Sequence, residues 1–566
     1  MVKKIFALLH KESNGIHDAA LLMGFFTLIS QLLALVRDRS LAHFLGPSAH
    51  LDVYYAAFRV PDFLYVSIAS LVSITVIIPF LIKRMNGNAS DETGKEEGRK
   101  FLNQVFTVFF GAMVILSAVI AILMPYIARY IAPGFDAKEL AELIMTSRIM
   151  LLSPLFIGIS NVLGSITQYY KNFFVYALSP VFYNIGIISG VLFFYPLFGV
   201  YGLAIGVVLG ALLHFAIQLP VIIKHGFVPH FVKKIDWKQI REVTAISLPR
   251  TLALSLNSIT LIVIVALASL IKEGSISIFT FAYNLETVPL NIIGTSYSVA
   301  VFPILAEAYA VGNIKRFIDY TMITARQMIF WSLPIMVLFI VIRAQIVRVI
   351  LGSGEFSWSS TRLTAAALAL FSISIVAQGL VLLFVRAYYA SGKTRQPLLV
   401  NIVASVITII LAYVLMYCYG TSVAMQNFFR TLLRVDNIQG SAILMLPLAY
   451  SIGSIFNFFA HWILFRRDFM QGHPWELSRT FFQSLTAALC LGIVSYATLA
   501  FLGPIFGLSS FWGVFGQGLI AGILGILVAV LALKLMKNKE IENVLTSLHH
   551  KIWGTKVFSP GPEDLS

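Results

Sequence analysis

Charged side chains are scarce in this chain: Asp, Glu, Lys and Arg make up 12% of its 566 residues, against 58% hydrophobic ones. Soluble domains carry about a quarter charged residues. An ordinary cytosolic enzyme, a nucleic-acid-binding module and a disordered chain are thereby excluded. Cysteine is nearly absent. Cys418 and Cys490 stand far apart in apolar surroundings, which leaves neither a disulfide framework nor a metal-ligand spacing, and both read as packing residues. Catalytic signatures are missing as well: no phosphate-binding loop, no H-E-x-x-H pair, no nucleophile elbow and no Cys/His cluster. His43, His214, His225 and His461 are scattered. The expectation is a non-enzyme with no cofactor and no metal. Without an ATPase motif, any transport runs on a gradient, the membrane potential or a coupled ligand flow.

What is abundant is apolar sequence, with a mean hydropathy of +0.86. A spanning helix needs roughly 20 mainly apolar residues. The pattern predicts an all-α polytopic membrane protein with about fourteen transmembrane helices. They fall near 18–36, 52–83, 103–131, 143–170, 173–197, 199–223, 244–271, 276–308, 318–350, 361–391, 396–419, 441–465, 478–503 and 511–536. Two pseudo-symmetric six-helix bundles and two C-terminal helices follow. The predicted segments are a cytoplasmic N-terminal piece (1–16), a first bundle (17–225), a basic cytoplasmic linker (226–242), a second bundle (243–465), a two-helix extension (466–537) and a cytoplasmic tail (538–566). Residues 1–16 carry Lys3, Lys4 and Lys11 around a short apolar run. That run is too short for a cleaved signal and reads as an amphipathic helix on the cytoplasmic face. Asn86–Lys100 reads as a polar linker broken by Gly87 and Gly94.

The net charge of +15 comes from 41 Lys and Arg against 26 Asp and Glu. With both termini inside, the inner loops hold roughly 26 of the basic residues and the outer loops about ten, as the positive-inside rule requires. A weak repeat supports paired bundles. The second span has Ala57-Phe58-Arg59-Val60-Pro61 and ends near Ile78-Pro79-Phe80. The eighth has Ala282-Tyr283-Asn284-Leu285 and ends near Phe302-Pro303-Ile304. An offset of six spans preserves orientation, so the two bundles would be parallel repeats facing a central cavity. Chance likeness between apolar helices gives the same pattern.

Charges inside the apolar stretches carry the functional expectation, because each costs on the order of 2.5–3.5 kcal/mol at the bilayer centre. They are Arg37, Asp38 and Arg39 at the end of the first span, and Asp52, Arg59 and Asp62 early in the second. Arg250 begins the seventh and Arg386 lies late in the tenth. Glu286 and Glu307 in the eighth read as the clearest buried carboxylates. An Arg-rich, carboxylate-poor interior suits a large anion, since guanidinium grips phosphate through two parallel N–H bonds and stays protonated. Each has a plainer reading: Arg37 with Asp38 as a local ion pair, Arg59 with Asp52 or Asp62 as a helix brace. Arg250 and Arg386 could snorkel to the interface, and Asn184 could bridge helices.

The stretch Thr27-Leu28-Ile29-Ser30-Gln31, Leu35-Val36-Arg37-Asp38, Phe44-Leu45-Gly46-Pro47-Ser48, Asp52 and Ala57-Phe58-Arg59-Val60-Pro61 resembles the N-terminal signature of the MurJ/MviN family. Further matches are Ser179-Pro180 with Asn184, Tyr201-Gly202-Leu203-Ala204, Leu248-Pro249-Arg250 and Arg386-Ala387-Tyr388-Tyr389 before Thr394-Arg395-Gln396-Pro397. The resemblance covers most of residues 15–540. It implies a lipid II flippase of the multidrug/oligosaccharidyl-lipid/polysaccharide exporter superfamily, moving undecaprenyl-pyrophosphate-linked disaccharide-pentapeptide from inner to outer leaflet by alternating access. It places the chain in a bacterial inner membrane, with the lipid-linked pyrophosphate, the bilayer and cell-wall synthesis proteins as partners and no nucleic acid. The resemblance implies roles for Arg37, Arg59 and Asp52; together with the residues read above, the expected substrate-binding set is Arg37, Asp38, Asp52, Arg59, Asn184, Arg250, Asn284 and Arg386. Two positions depart from the family: Gln31 and Asn284 stand where the family often has Arg. Arg250 is expected to compensate in part. The eleventh span offers Asn401 but no carboxylate, which puts sodium coupling in doubt. An exporter of another polyprenyl-linked or small molecule and a non-transporting precursor-binding scaffold are the competing readings.

Overall fold

The computed structural model describes residues 16–69, 74–84, 92–470, 477–507 and 510–542, with 544 and 546 beyond them. Among these residues there is helix and no strand. The elements are α1 (Ile16–Phe44), α2 (Ala49–Ala69), α3 (Ile74–Arg84), α4 (Glu92–Ile131), α5 (Ala137–Tyr169), α6 (Phe173–Phe198), α7 (Val200–His225), α8 (Trp237–Ser269) and α9 (Ser275–Ala310). They continue with α10 (Ile314–Val341), α11 (Arg343–Leu351), α12 (Trp358–Ser372), α13 (Ile375–Ala390), α14 (Arg395–Thr421), α15 (Val423–Leu433), α16 (Ser441–Phe469), α17 (Leu477–Phe506) and α18 (Phe511–Leu535).

Eleven helices are long and apolar enough to cross a membrane, or twelve if the bent pair α12–α13 is one span. The fourteen expected stretches each coincide with helix, but the count of fourteen is not reached on length and composition. The two remaining stretches fall on α1, which ends in Arg37-Asp38-Arg39, and on α2 and α3, separated by residues outside the description. Side chains such as Ile122, Tyr130, Phe193, Ile493, Phe501 and Leu535 are 64–82% exposed. Only a lipid solvent accommodates such a density of bare apolar surface.

Several boundaries differ from the expectation. α4 begins at Glu92 and runs through Gly94, so that glycine does not break the chain. α8 begins at Trp237, inside the expected linker, because Asp236 caps it by accepting the Lys238 and Gln239 amides. The linker before it is pinned to α4. The His230 amide donates to Asn103 Oδ1 at 3.1 Å, and the Val232 amide to Thr107 Oγ1 at 3.1 Å. The ninth span stops at Val341 and restarts as α11, and the tenth bends by 45° at Ile373-Ser374. The short helix α15 lies in what had no expected element. The N-terminal amphipathic helix, Gly87 and most of the tail lie outside the described residues. Cys418 and Cys490 are free and half-buried.

The chain divides into two compact units. One comprises Met1–Asn284, Ile350–Ala367 and Thr394–Gly453; the other comprises Leu285–Val349, Leu368–Lys393 and Ser454–Ser566. In the first unit, Tyr54, Phe279, Phe281 and Phe356 are fully buried, with Tyr55 and Phe356 edge-on to Phe281 at 5.8 Å. In the second, Phe317, Phe384, Tyr388, Phe465 and Phe469 form the core, with Phe384 and Phe465 centroids 5.1 Å apart.

Within the first unit α6 and α7 meet through glycines spaced by four, Gly186 and Gly190 against Gly202, Gly206 and Gly210. A Cβ built on Gly206 would sit 2.4 Å from Gly190 Cα, and one on Gly186 2.2 Å from Gly210 Cα. Small residues at this spacing let backbones touch where no hydrophobic force drives helices together. Gly206→Ala should force the pair apart and destabilise the protein by roughly 1–3 kcal/mol. A thermal unfolding midpoint in detergent equal to that of the parent would contradict this packing.

Candidate functional site

The charged residues of α1 and α2 sit in the first unit, in two groups. The first is a chain of hydrogen bonds. Arg37 is bound to its neighbour Asp38, with Nη2 2.8 Å and Nε 2.9 Å from Oδ1. Its Nη1 donates to Asn184 Oδ1 at 3.4 Å, while Asn184 Nδ2 donates to Ser30 Oγ at 3.2 Å and to the Pro180 carbonyl at 3.1 Å. On the far side, Asn284 Nδ2 donates to Asp38 Oδ2 at 3.0 Å. Four of the expected residues therefore form one network: Arg37, Asp38, Asn184 and Asn284. The position on α9 where the family often has Arg carries an amide that bridges to Asp38 instead. A neutral amide matches a carboxylate already paired with Arg37, where an added guanidinium would compete for it.

Asp38 and Asn184 are buried, while the Arg37 side chain is 22% exposed. The side chain is thus partly accessible, but each of its three nitrogens already has a partner and its charge is balanced by a carboxylate in contact.

Arg59 differs. It lies on α2, half-buried, and its Nε is buried without a hydrogen-bond partner among the described residues. No contact ion pair joins Arg59 to Asp52 or Asp62 among the described residues, although Asp62 still acts on the Arg59 charge at longer range. The reason is that Asp52 is occupied elsewhere. Its Oδ2 accepts the Gly274 amide at 2.8 Å, and its Oδ1 accepts the Ser277 amide at 2.8 Å and the Ser277 hydroxyl at 2.5 Å. Asp52 is thus a buried cap on the N-terminus of α9, favoured there by the helix dipole. Gly274 makes the approach possible: its φ is +84°, and a Cβ would lie 2.8 Å from the Pro47 carbonyl oxygen. Asp62, one turn beyond Arg59, opens instead onto a cavity.

That cavity, of about 260 Å³, lies within the first unit, and its polar lining is Asp62, Tyr65, Ser153, Tyr183 and His214. Asn161 Nδ2 donates to the Tyr65 hydroxyl at 2.9 Å. His214 Nδ1 is 2.7 Å from the Ser160 hydroxyl, which also accepts from Gln218 Nε2. Sequence reasoning named Asp62 only as a partner for Arg59 and passed over His214 as scattered. Phe58, Asp62 and Tyr65 share one face of α2 at helical spacing, and that periodicity was the available signal.

The other expected residues fall apart from these groups. The Arg250 side chain lies outside the described residues, although its backbone belongs to α8. Arg386 belongs to the second unit, half-buried on α13. Glu307, expected as a buried carboxylate, is 62% exposed and pairs with Arg316 at 3.4 Å, because α9 has reached the surface by then. Among the described residues no three His, Cys, Asp or Glu side chains converge as a metal site would require.

The arrangement offers a partly accessible arginine held by a carboxylate and an amide, and a second arginine with a buried unsatisfied N–H. This is donor-rich chemistry for a multiply charged anion.

Comparison with known proteins accords with this. The family model described as "Lipid II flippase MurJ" matches residues 41–516. A protein of Burkholderia cenocepacia named "Lipid II flippase MurJ" is 24% identical over 410 residues, covering 71% of this chain and 78% of that protein. One from Buchnera aphidicola subsp. Schizaphis graminum, named "Probable lipid II flippase MurJ", is 28% identical over 394 residues, covering 68% and 75%. Among solved structures, "Lipid II flippase MurJ, inward closed conformation" matches with a TM-score of 0.71 at 22% identity, over 93% of this chain and all of that one. An inward-facing multidrug resistance MATE transporter shares the fold at a TM-score of 0.62 and 16% identity, over 78% of this chain and 95% of that one. On the extent of the family match, this chain is a multi-pass membrane protein that belongs to the MurJ lipid II flippase family.

Proposed function

We propose that this protein is a lipid II flippase. It carries the undecaprenyl-pyrophosphate-linked disaccharide-pentapeptide from the inner to the outer leaflet by alternating access. The observation that carries the reading is the state of the two arginines of the first unit: Arg59 has a buried N–H with no partner among the described residues, and Arg37 is partly accessible and held in place by Asp38 and Asn184. Arg59 is the stronger phosphate ligand of the two, because no carboxylate is hydrogen-bonded to it, although Asp62 acts on its charge from one turn away, and its buried Nε–H gains a full hydrogen bond when an anion arrives. Arg37 joins from its partly accessible side chain, and Asp38 and Asn284 keep it aimed; Arg250 and Arg386 complete the basic residues of the expected set. Asp52 acts on the site through α9.

The protein sits in a bacterial inner membrane with both termini inside, as the lysine and arginine asymmetry of the loops supports. Its other partners are the bilayer and the cell-wall synthesis proteins that make and consume the precursor. A negative-inside potential returns the empty, positively charged site inward, since moving one charge is worth about 2.3 kcal/mol per 100 mV.

The test is flipping in vesicles containing the purified protein, with lipid II and two other polyprenyl-pyrophosphates compared at equal concentration. Faster translocation of lipid II, slowed when an ionophore collapses an imposed potential, is the expected result. Equal translocation of all three lipids would point to a broader exporter. No translocation despite tight binding would point to a scaffold.

A further inference from the structure

We propose that Glu286 is an occluded proton-binding site that latches two irregular joints of the second unit. Glu286 lies on α9 and is fully buried. One carboxyl oxygen accepts Gln378 Nε2 at 2.8 Å, and Gln378 in turn donates to Ser374 Oγ at 2.9 Å. The other oxygen, Oε2, is buried with no partner among the described residues. No charged group compensates it among the described residues. On the elements packed against this stretch of α9, Arg386 of α13 and Lys315, Asp319 and Arg326 of α10 make no charge interaction with it, while Arg316 pairs with Glu307 and Arg326 faces Glu540. A bare carboxylate in such a place carries a desolvation penalty that one neutral amide does not offset. The neutral acid removes the charge and keeps the Gln378 bond.

The position of this carboxyl gives the proton a mechanical role. Pro289 follows Glu286 by three residues and begins a π-helical segment, Leu290–Thr295. Proline lacks the N–H that an α-helix needs there, and π segments often mark functional joints. Gln378 and Ser374 stand beside the 45° break between α12 and α13. The two joints touch through glycines: a Cβ on Gly294 would lie 3.1 Å from Gly379 Cα. The Glu286–Gln378 hydrogen bond therefore spans both irregular points. While Glu286 holds its proton, the latch stays closed. When the joints straighten and water reaches the carboxyl, the proton leaves to water and the charged form resists reburial. This role holds whichever lipid is moved.

The test is infrared difference spectroscopy of the substrate-free protein in lipid nanodiscs at neutral pH, with Glu286→Gln as an isosteric control. The parent protein should show the carbonyl stretch of a protonated carboxylic acid, shifted in deuterated buffer and lost in Glu286→Gln. A spectrum that the substitution leaves unchanged would overturn the assignment. If Glu286→Gln fails to yield folded protein, Gln378→Ala decides: it keeps the acid but removes its donor, so the band must move, and a fixed band refutes the contact. Amide hydrogen exchange over 288–296 and 373–380 reads the latch. Protection should fall in the parent protein at the pH where the band disappears and stay constant in Glu286→Gln. Identical profiles would sink the coupling.

Discussion

Replacing Arg59 with Ala should abolish the ability of this protein to support growth of a flippase-depleted bacterium. The argument rests on what the site already satisfies. Arg37 spends two of its donors on Asp38 and one on Asn184, so an incoming pyrophosphate competes with a carboxylate in place. Arg59 Nε has no hydrogen bond to give up, and Asp62 acts on its charge without touching it. Hydrogen bonds to charged groups contribute about 1.5–3 kcal/mol each, so losing one phosphate contact of this kind weakens binding by roughly 10- to 150-fold. Arg37→Ala should have a smaller effect on affinity and leave Asp38 in need of a new partner. Arg59→Lys keeps the charge but not the fork, and should restore growth only in part. The decisive measurements are lipid II binding by the purified variants and complementation at normal expression. Normal growth of Arg59→Ala cells would remove the central residue from the proposal.

Asp52→Ala should cause the largest loss of stability of any single change in α2. The carboxylate accepts two backbone amides and one hydroxyl at the start of α9, all buried. Truncation leaves three donors without acceptors, each costing about 1–3 kcal/mol. The loss also removes a negative charge from a helix N-terminus, where it is favoured. A drop of several kcal/mol should appear as poor membrane yield and a much lower unfolding temperature, with Asp52→Asn intermediate. If Asp52→Ala instead melted normally and lost only transport, the residue would act on the substrate and not as a cap. This comparison separates the family-derived expectation for Asp52 from the role its geometry supports.

The fold was legible because lipid imposes a simple rule: apolar runs of the right length, with basic loops between them, leave few alternatives to helices. The described residues of the expected spans are mostly helical for that reason, although eleven or twelve helices, not fourteen, meet the length and composition of a span. The joints were not legible. The 45° break at Ile373-Ser374, the stop at Val341 and the π segment after Pro289 all lie within apolar sequence, and hydropathy averages over them. The candidate site was legible to the level of residue type. Arg37, Asp38, Asn184 and Asn284 converge although 246 positions separate Asp38 from Asn284. The assignment of partners was not, because Asp52 and Asp62 look alike in sequence. Only folding shows that one caps a helix and the other opens onto a cavity. Glu286 and Glu307 divide in the same way, one enclosed and one at the surface.

The helices α4 and α8, of 40 and 33 residues, reach about 60 and 50 Å at 1.5 Å per residue, well beyond the roughly 30 Å hydrocarbon layer. Their polar ends must project from the bilayer, and the segment between α7 and α8 is bolted to α4 through Asn103 and Thr107. This makes a stiff outcrop on which an antibody fragment or fused marker could be mounted for single-particle imaging.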